Sequence, residues 1–258
     1  MNPMRPPAPR PVSRRADAFT LIELLVVISI IAVLAGFVVG LAPVANRRMK
    51  ESRVRAELAA VVSAIDSYKA KFGVYPPDNY DPNFKRSNPT QTSLFYELTG
   101  VLVDNQRQRL IATDDNEEID PNDFLRYFGR DGVLNSVPRI QGTAAQQVKL
   151  DREQRKQLLR RNFKPSQYAE LFRSKSTAGY VDLEVLTVGF STDASGKKGN
   201  GIPWPGAIAP NLQPVPTNPG LNPWRYVSTN PTNNPGRYDL WAELPQGGGK
   251  PPLIIGNW

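Results

Sequence analysis

Glu23 is the residue whose chemistry most needs an explanation, because it lies near the start of a strongly apolar run. A carboxylate in apolar surroundings is costly unless it is paired, and such a charge often marks function. Considered alone, Glu23 has a simpler interpretation, which is that it lies at the level of lipid headgroups and has no partner. Its role therefore depends on the residues around it.

The composition excludes most kinds of catalytic centre. The chain has 258 residues, with no histidine and no cysteine. This rules out Ser-His-Asp and Cys-His nucleophilic sites, His-ligated zinc, thiolate metal sites and disulfides. An enzyme would have to use carboxylate or Ser/Lys chemistry, and no such constellation is convincing. We therefore predict a protein without enzyme activity, catalytic residues, cofactor or metal site.

The apolar run is long enough for a bilayer. The twenty residues from Leu24 to Pro43 carry no charge, and a helix of that length covers about 30 Å. We therefore predict a transmembrane segment at residues 19–46. The positive-inside rule is ambiguous, because arginines both precede and follow it. A secretory signal peptide would have a shorter apolar region, and the nearest small-residue cleavage site is followed by Pro43.

The stretch "RRADAFTLIELLVV" closely resembles the processing motif of type IV prepilins and type II secretion pseudopilins. The resemblance implies that the prepilin peptidase, an aspartic peptidase embedded in the membrane, cuts between Ala18 and Phe19 and methylates the new amine of Phe19. Residues 1–18 would be the leader that is removed. Ala18 departs from the family, in which glycine is commonest at this position.

The same resemblance gives roles to the charged residues on both sides of the cut. Arg14 and Arg15 match the basic charge of the family's leader. Glu23 matches the family's acidic residue, which is thought to pair with the terminal amine of a neighbouring subunit during filament assembly. The resemblance therefore favours pairing over an idle charge at the headgroups.

A second helical pattern follows the apolar run, and we assign residues 47–78 to the amphipathic half of the same helix and its closing turn. The helix is expected to bend near Gly40 and Pro43 and to end at Gly73, before Pro76 and Pro77. Apolar residues recur every three or four positions and define one face: Val54, Leu58, Val61, Ile65, Tyr68 and Phe72. The charged residues Arg55, Glu57, Asp66 and Lys69 lie off that face.

The C-terminal residues 222–258 also resemble the major pseudopilins, in the sequences "NPWRYVS", "RYDLWAEL" and the closing "NW". In those proteins an acidic loop after Tyr-Asp-Leu-Trp binds calcium, which needs six to eight oxygen ligands. Here the loop offers only Glu243 and contains Lys250. We therefore predict no calcium site, and we interpret Asp239 as a strand or turn residue.

Residues 79–221 form a variable insertion of mixed structure. Short helices are predicted in "TSLFYELTGVL" and in "PNDFLRYFG" after Asp120. Alternation at Val181, Leu183 and Val185 predicts a half-buried strand, which then shifts register to Leu186, Val188 and Phe190. Further strands are predicted in "RYVS", "RYDLWAEL" and "PLIIG". The predicted fold is α+β and pilin-like, with a long N-terminal helix packed on a C-terminal antiparallel sheet.

Two charged clusters lie in this insertion. The acidic stretch 114–123, "DDNEEIDPND", lacks the spacing and central glycine of a calcium loop, so we interpret it as a solvated loop. A basic helix is predicted at residues 149–164. It could contact anionic lipid or DNA, but it lacks interleaved aromatic residues. We interpret it as a solvated face that could pair with the acidic loop.

Three classes of function remain, and the first is a structural subunit of a type II secretion pseudopilus. The second is a type IV pilin of an adhesion, motility or DNA-uptake filament, and the third is a membrane-anchored enzyme. The expected partners are the prepilin peptidase, other pilin or pseudopilin subunits and the inner membrane. The assembly platform and its ATPase would act indirectly, and no nucleic acid is expected. The C-terminal domain would then be periplasmic and the N-terminus cytoplasmic.

Overall fold

The computed structural model of the protein describes residues 20–83, 85, 87–113, 118–171, 183–188, 222–246 and 249–258. Residues 38–43, 126 and 169–171 are described by their backbone only. Contacts divide the chain into two units, Met1–Arg48 and Met49–Trp258. One helix, α1 (Leu21–Phe72), crosses the boundary between them. Its first part belongs to the N-terminal unit, and the other elements all belong to the second.

The second half of α1 buries one apolar face, as the spacing predicts. Phe72 is half-buried, and its ring lies 4.5 Å from that of Tyr68. Arg55, Asp66 and Lys69 are exposed, whereas Glu57 is half-buried. The prediction of an amphipathic helix is confirmed by the five residues that are fully buried: Val54, Leu58, Val61, Ile65 and Tyr68.

The end of α1 follows from local chemistry. Gly73 has a φ of 78°, a left-handed conformation that glycine adopts without strain, and its N–H donates to the carbonyl of Lys69 at 2.8 Å. This is the predicted C-cap. At the other predicted break, the helix continues through Gly40 and Pro43. The chain does not leave the helix there, and the expected bend stays a prediction.

The insertion folds into helices and a small sheet. Both predicted short helices are present. The second, α3 (Pro121–Phe128), begins as expected, with the Asp120 carboxylate accepting the N–H of Asn122 at 2.9 Å. The four strands of this sheet were not predicted. Three of the four form an antiparallel meander, and the last pairs in parallel with the first. The elements in chain order are α2 (Leu94–Thr99), β1 (Val101–Asp104), β2 (Arg109–Ala112), β3 (Glu118–Ile119), α3 (Pro121–Phe128) and β4 (Ser136–Pro138).

The basic helix is shorter than predicted and starts earlier. It is α4 (Ala144–Arg155), not residues 149–164. The Gln146 side chain accepts hydrogen bonds from the backbone and hydroxyl of Thr143, which fixes the helix start. After Arg155 the chain turns, so residues 160–164 lie outside the helix.

The predicted pairing between the basic helix and the acidic loop is also wrong for the two carboxylates of that loop with described ion pairs. Glu118 pairs with Arg107 at 3.0 Å, and Asp120 pairs with Arg109. Both arginines lie in or beside the β1–β2 hairpin, which is adjacent to the acidic residues in the sheet. These arginines and carboxylates lie on or beside neighbouring strands joined by a short connection, whereas α4 follows much later in the chain.

The strand predicted at Leu183 and Val185 is present but is not half-buried. β5 (Tyr168–Leu171) pairs antiparallel with β6 (Leu183–Leu186). All four residues of β6 are buried, including Glu184, because the strand is covered on both faces. Directly after β6, Thr187 makes an isolated bridge to Pro223. Thr187 and Val188 are buried like the residues of β6, so the register shift expected at Leu186 stays a prediction. Val181 and Phe190 lie outside the described residues.

The three C-terminal strands are confirmed as an antiparallel sheet in chain order. They are β7 (Arg225–Val227), β8 (Asp239–Leu244) and β9 (Leu253–Gly256). Side chains of β7 and β8 share one apolar core with the buried face of α1, α2 and α3. The fold is therefore α+β and consistent with a pilin-like architecture, as the sequence predicts.

A buried carboxylate joins α1 to the insertion. The Tyr68 hydroxyl donates to Glu97 Oε2 at 2.7 Å. The N–H groups of Leu134 and Asn135 donate to the same carboxylate at 3.1 and 3.2 Å. Burial raises the pKa of the Glu97 carboxyl, and the three donors lower it by a smaller amount, so the net shift is upward. Its contribution to the free energy of unfolding is therefore largest below the usual range of a glutamate and falls as pH rises through the raised pKa.

Replacing Tyr68 with Phe should lower the free energy of unfolding by about 1–3 kcal/mol, because Glu97 loses a donor in a buried site. The loss should grow with pH, since a hydrogen bond to an ionised carboxylate is stronger than one to a neutral acid. Urea unfolding of the full chain in detergent, followed by circular dichroism at several pH values, measures both. Tyr80→Phe is the matched control. An equal or pH-independent loss in the two variants would contradict this role for Tyr68.

Candidate functional site

The first turn of α1 contains a capping box. The N–H and the hydroxyl of Thr20 both donate to Glu23 Oε2 at 2.9 Å. In return, the N–H of Glu23 donates to the Thr20 hydroxyl at 3.3 Å. The first N–H groups of a helix have no partner inside it, so a reciprocal pair of this kind stabilises the helix start. Thr20 is therefore the N-cap of α1, and Glu23 is its N3 residue.

The two oxygens of the Glu23 carboxylate differ in their hydrogen bonds. Oε2 is used by Thr20, whereas Oε1 accepts no hydrogen bond from the described residues. The whole side chain is exposed. A carboxylate held in one orientation by Thr20, with one oxygen open, can accept a hydrogen bond or an ion pair from outside its own chain.

Thr20 was missed as a functional residue, although the sequence contained the signal. "TLIE" has the Ser/Thr-x-x-Glu spacing of a capping box directly before an apolar run. Arg14, Arg15, Ala18 and Phe19 lie outside the described residues, so the roles given to them stay predictions.

An apolar surface follows directly after the capping box. The large hydrophobic side chains of α1 between Leu21 and Phe37 are exposed on every side of the helix. An exposed apolar surface of this extent marks a site of association with another apolar surface. Its members are Leu21, Ile22, Leu24, Leu25, Val26, Val27, Ile28, Ile30, Ile31, Val33, Leu34 and Phe37.

The prediction of a membrane-spanning helix at residues 19–46 is not confirmed. Among the residues that the structure describes, no helix is both long enough and apolar enough to cross a bilayer.

Comparison with protein families identifies the N-terminal segment. Residues 13–39 match the family model of the prokaryotic N-terminal methylation motif. This match supports a protein of the type IV pilin and pseudopilin family. It covers the leader arginines, the predicted cut, Thr20, Glu23 and the apolar helix start, so processing by the prepilin peptidase and assembly with other pilin subunits are implied. No curated protein and no solved structure matches the chain.

At the other end of the chain, Asp239 begins β8 and closes the loop before it. Its carboxylate accepts the N–H groups of Thr232, Asn233 and Asn234 at 2.8–2.9 Å. Three converging amides form a small anion-binding concavity, which the carboxylate fills. The prediction that Asp239 is a strand or turn residue is confirmed. Its oxygens point at donors, which is the opposite of the arrangement that a cation requires.

The carboxylate of Glu243 also has a partner within the protein. It lies in β8 and not in the loop that follows, and its carboxylate pairs with the Nε of Arg225 at 3.1 Å. Arg225 is buried, so this pair compensates a cation that has left water. Within the described residues, no group of three or more acidic side chains is placed to hold a metal ion.

The last two residues, Asn257 and Trp258, contact the first part of β8, which is the central strand of the sheet. The Asn257 side chain accepts the N–H of Leu240 at 2.9 Å and donates to the carbonyl of Tyr238 at 3.1 Å. The ring of Trp258 packs edge-on against Trp241, with centroids 5.9 Å apart. It lies so close to Gly256 that a Cβ there would come within 2.6 Å of the ring. Gly256, Asn257 and Trp258 therefore stabilise β8 through hydrogen bonds and ring packing.

Calcium should leave the thermal stability of this protein unchanged. Asp239 is bound by backbone amides and Glu243 by Arg225, so neither carboxylate is available to the ion. A ligand bound only by the folded state at 100 times its Kd would add about 2.7 kcal/mol. Thermal unfolding in millimolar calcium and in excess chelator tests this, with magnesium as the control. A rise of several degrees that is specific to calcium would contradict it.

Proposed function

We propose that the protein is a structural pseudopilin subunit of a type II secretion system, which assembles into a periplasmic pseudopilus for protein export. The observation that carries the proposal is the methylation motif at residues 13–39. The motif is followed by an α+β domain, in which the rest of α1 packs on a C-terminal sheet. Such a chain supplies an assembly helix and a soluble head.

Two features favour type II secretion over other pilin systems. The C-terminal sequences that resemble the major pseudopilins form one continuous sheet with its own closing residues, Asn257 and Trp258. The chain also has no cysteine, whereas many type IV pilins close their C-terminal loop with a disulfide. The alternative is a type IV pilin-like subunit of an adhesion, motility or DNA-uptake filament, because the methylation motif is common to both.

The apolar half of α1 suggests where the subunit resides before assembly. We propose that it holds the subunit at the inner membrane, with the basic leader in the cytoplasm and residues 49–258 in the periplasm. Leader removal by the prepilin peptidase would precede incorporation, which the assembly platform and its ATPase would drive. In the filament the same exposed side chains would pack against the helices of other subunits, so no apolar surface would be left in water.

The role proposed for Glu23 combines two interactions. Thr20 donates to Oε2 and fixes the direction of the side chain. The carboxylate can still accept further hydrogen bonds, because it has about four acceptor sites. Oε1 would then receive the methylated amine of Phe19 from the next subunit. A charged amine and a carboxylate that enter apolar surroundings together avoid the cost that either would meet alone.

A catalytic role is the weakest alternative. Without histidine or cysteine, general acid-base chemistry would rest on carboxylates with tuned pKa values. The most deeply buried of these with a raised pKa, Glu97, is saturated by three donors inside the core. We therefore propose that the protein works as a building block and not as an enzyme.

The mature protein should begin with N-methylated Phe19. Leader removal at Ala18 follows from the matched motif and leaves Thr20 and Glu23 as the second and fifth residues. Intact-mass analysis of protein extracted from membranes, with and without the prepilin peptidase, measures the cut directly. A mass that retains residues 1–18 in the presence of the peptidase, or a cut near Ala42, would refute the processing step.

Three substitutions should separate the two roles of the first turn. Glu23→Gln keeps a capping-box side chain but removes the charge, Thr20→Ala removes the cap but keeps the charge, and Glu23→Ala removes both. If the charge pairs between subunits, sheared-filament yield should be lost in both Glu23 variants. Thr20→Ala should lower the yield only in part. All three should be processed and remain in the membrane.

The amount of processed protein in each variant is the control, because it reports any failure before assembly. Normal filament yield for Glu23→Gln would show that the carboxylate acts only as a cap. Complete loss in Thr20→Ala with normal yield in Glu23→Gln would lead to the same conclusion.

A further inference from the structure

A groove of about 430 Å³ lies beside the second half of α1. One wall is the helix, and the other is the segment after α4 that runs from Arg161 to Gln167. The alanines at two successive turns of α1 leave room that larger side chains would fill. The lining residues used below are Arg53, Ala56, Glu57, Ala60, Arg161 and Lys164.

The wall of the groove contains a carboxylate oxygen that lacks a donor. Glu57 Oε1 accepts the Nε of Arg53 at 3.0 Å. Glu57 Oε2 is buried and has no hydrogen-bond partner among the described residues. A buried acceptor without a donor is destabilising, so the groove favours any ligand or water that brings an N–H or O–H to this atom.

The other wall carries positive charge. Arg161 and Lys164 are exposed, and neither forms an ion pair with the described residues. The backbone of Arg161 is fixed, since its N–H donates to the carbonyl of Leu98 at 2.9 Å. A ligand of this groove must therefore offer acidic groups to Arg161 and Lys164 and an N–H to Glu57. A nucleic acid or polyphosphate presents negative charge to Glu57, whereas an acidic peptide satisfies both walls.

The chain itself contains a suitable acidic peptide. β2 and β3 are joined by residues 113–117, because β2 ends at Ala112 and β3 begins at Glu118. This connection includes Asp114, Asp115 and Glu117. Such carboxylates complement a positively charged wall like that formed by Arg161 and Lys164.

We propose that this groove, between α1 and residues 161–167, binds the acidic connection 113–117 of a second copy of the chain. Two different, complementary surfaces on one subunit generate an open helical filament when the contact does not close into a ring. The inference rests on the proposed filament function and names a contact between the subunit heads.

Disulfide cross-linking tests the contact, and the absence of native cysteine makes every product interpretable. Two full-length chains of different tag length are produced together, one with Lys164→Cys and the other with Glu117→Cys. Filaments are sheared and oxidised, and the disulfide-linked heterodimer is measured. Lys85→Cys, at an exposed position outside the groove, replaces Lys164→Cys as the control. The double variant Lys164→Cys/Glu117→Cys in one chain reports contacts within a subunit.

A heterodimer specific to the pair of Lys164→Cys and Glu117→Cys is the expected result. Arg161→Glu should lower its yield roughly tenfold through like-charge repulsion, and Asp115→Arg in the partner should restore it. Lys250→Glu should have no effect. Filaments without this heterodimer, or cross-links only within the double variant, would overturn the inference and leave the filament function standing. Failure of the unmodified chain to form filaments would overturn both.

Discussion

Burial of one apolar face on the second half of α1 is the interaction on which the folded head depends. Five residues spaced by three and four positions, from Val54 to Tyr68, are almost completely buried. They share a core with the C-terminal sheet and with both short helices that precede β4. Because elements far apart in sequence contact the same face, the insertion and the C-terminal strands are held together through α1. Polar contacts such as Tyr68 with Glu97 then fix the register of that packing.

The first half of the same helix has no such core. Its apolar side chains from Leu21 to Phe37 are exposed around the whole helix, and we propose that they associate with lipid or with the helices of other subunits. A free helix end in those surroundings would leave N–H groups without partners, and the Thr20–Glu23 capping box supplies them. Local helix physics therefore already explains why a carboxylate stands at position 23. What it does not explain is why glutamate rather than the uncharged glutamine is used, and the proposed pairing between subunits would supply that reason.

Periodic and capping signals were sufficient for much of the fold. The stripe on α1, its stop at Gly73, the cap at Asp120 and the C-terminal strands follow from patterns within about twenty residues. The β1–β4 pairing could not be predicted, since a parallel pair depends on chain reversal over the whole of α3. β6 was assigned a solvent face because Glu184 interrupts its apolar residues, yet tertiary contacts bury all four. For the site, Glu23 was found from its cost in apolar surroundings, whereas Thr20 was missed because a hydroxyl has no comparable cost.

Zero-length cross-linking of assembled filaments tests the central claim, which is that Glu23 serves the next subunit as well as its own helix. Filaments grown from mixed heavy-isotope-labelled and unlabelled subunits are treated with a carbodiimide, which joins an amine to a carboxylate only where the two are in contact. The account predicts a peptide that joins the Phe19 amine to Glu23 and carries one labelled and one unlabelled half. Linkage only between halves of the same isotope, or no linkage in intact filaments, would contradict it.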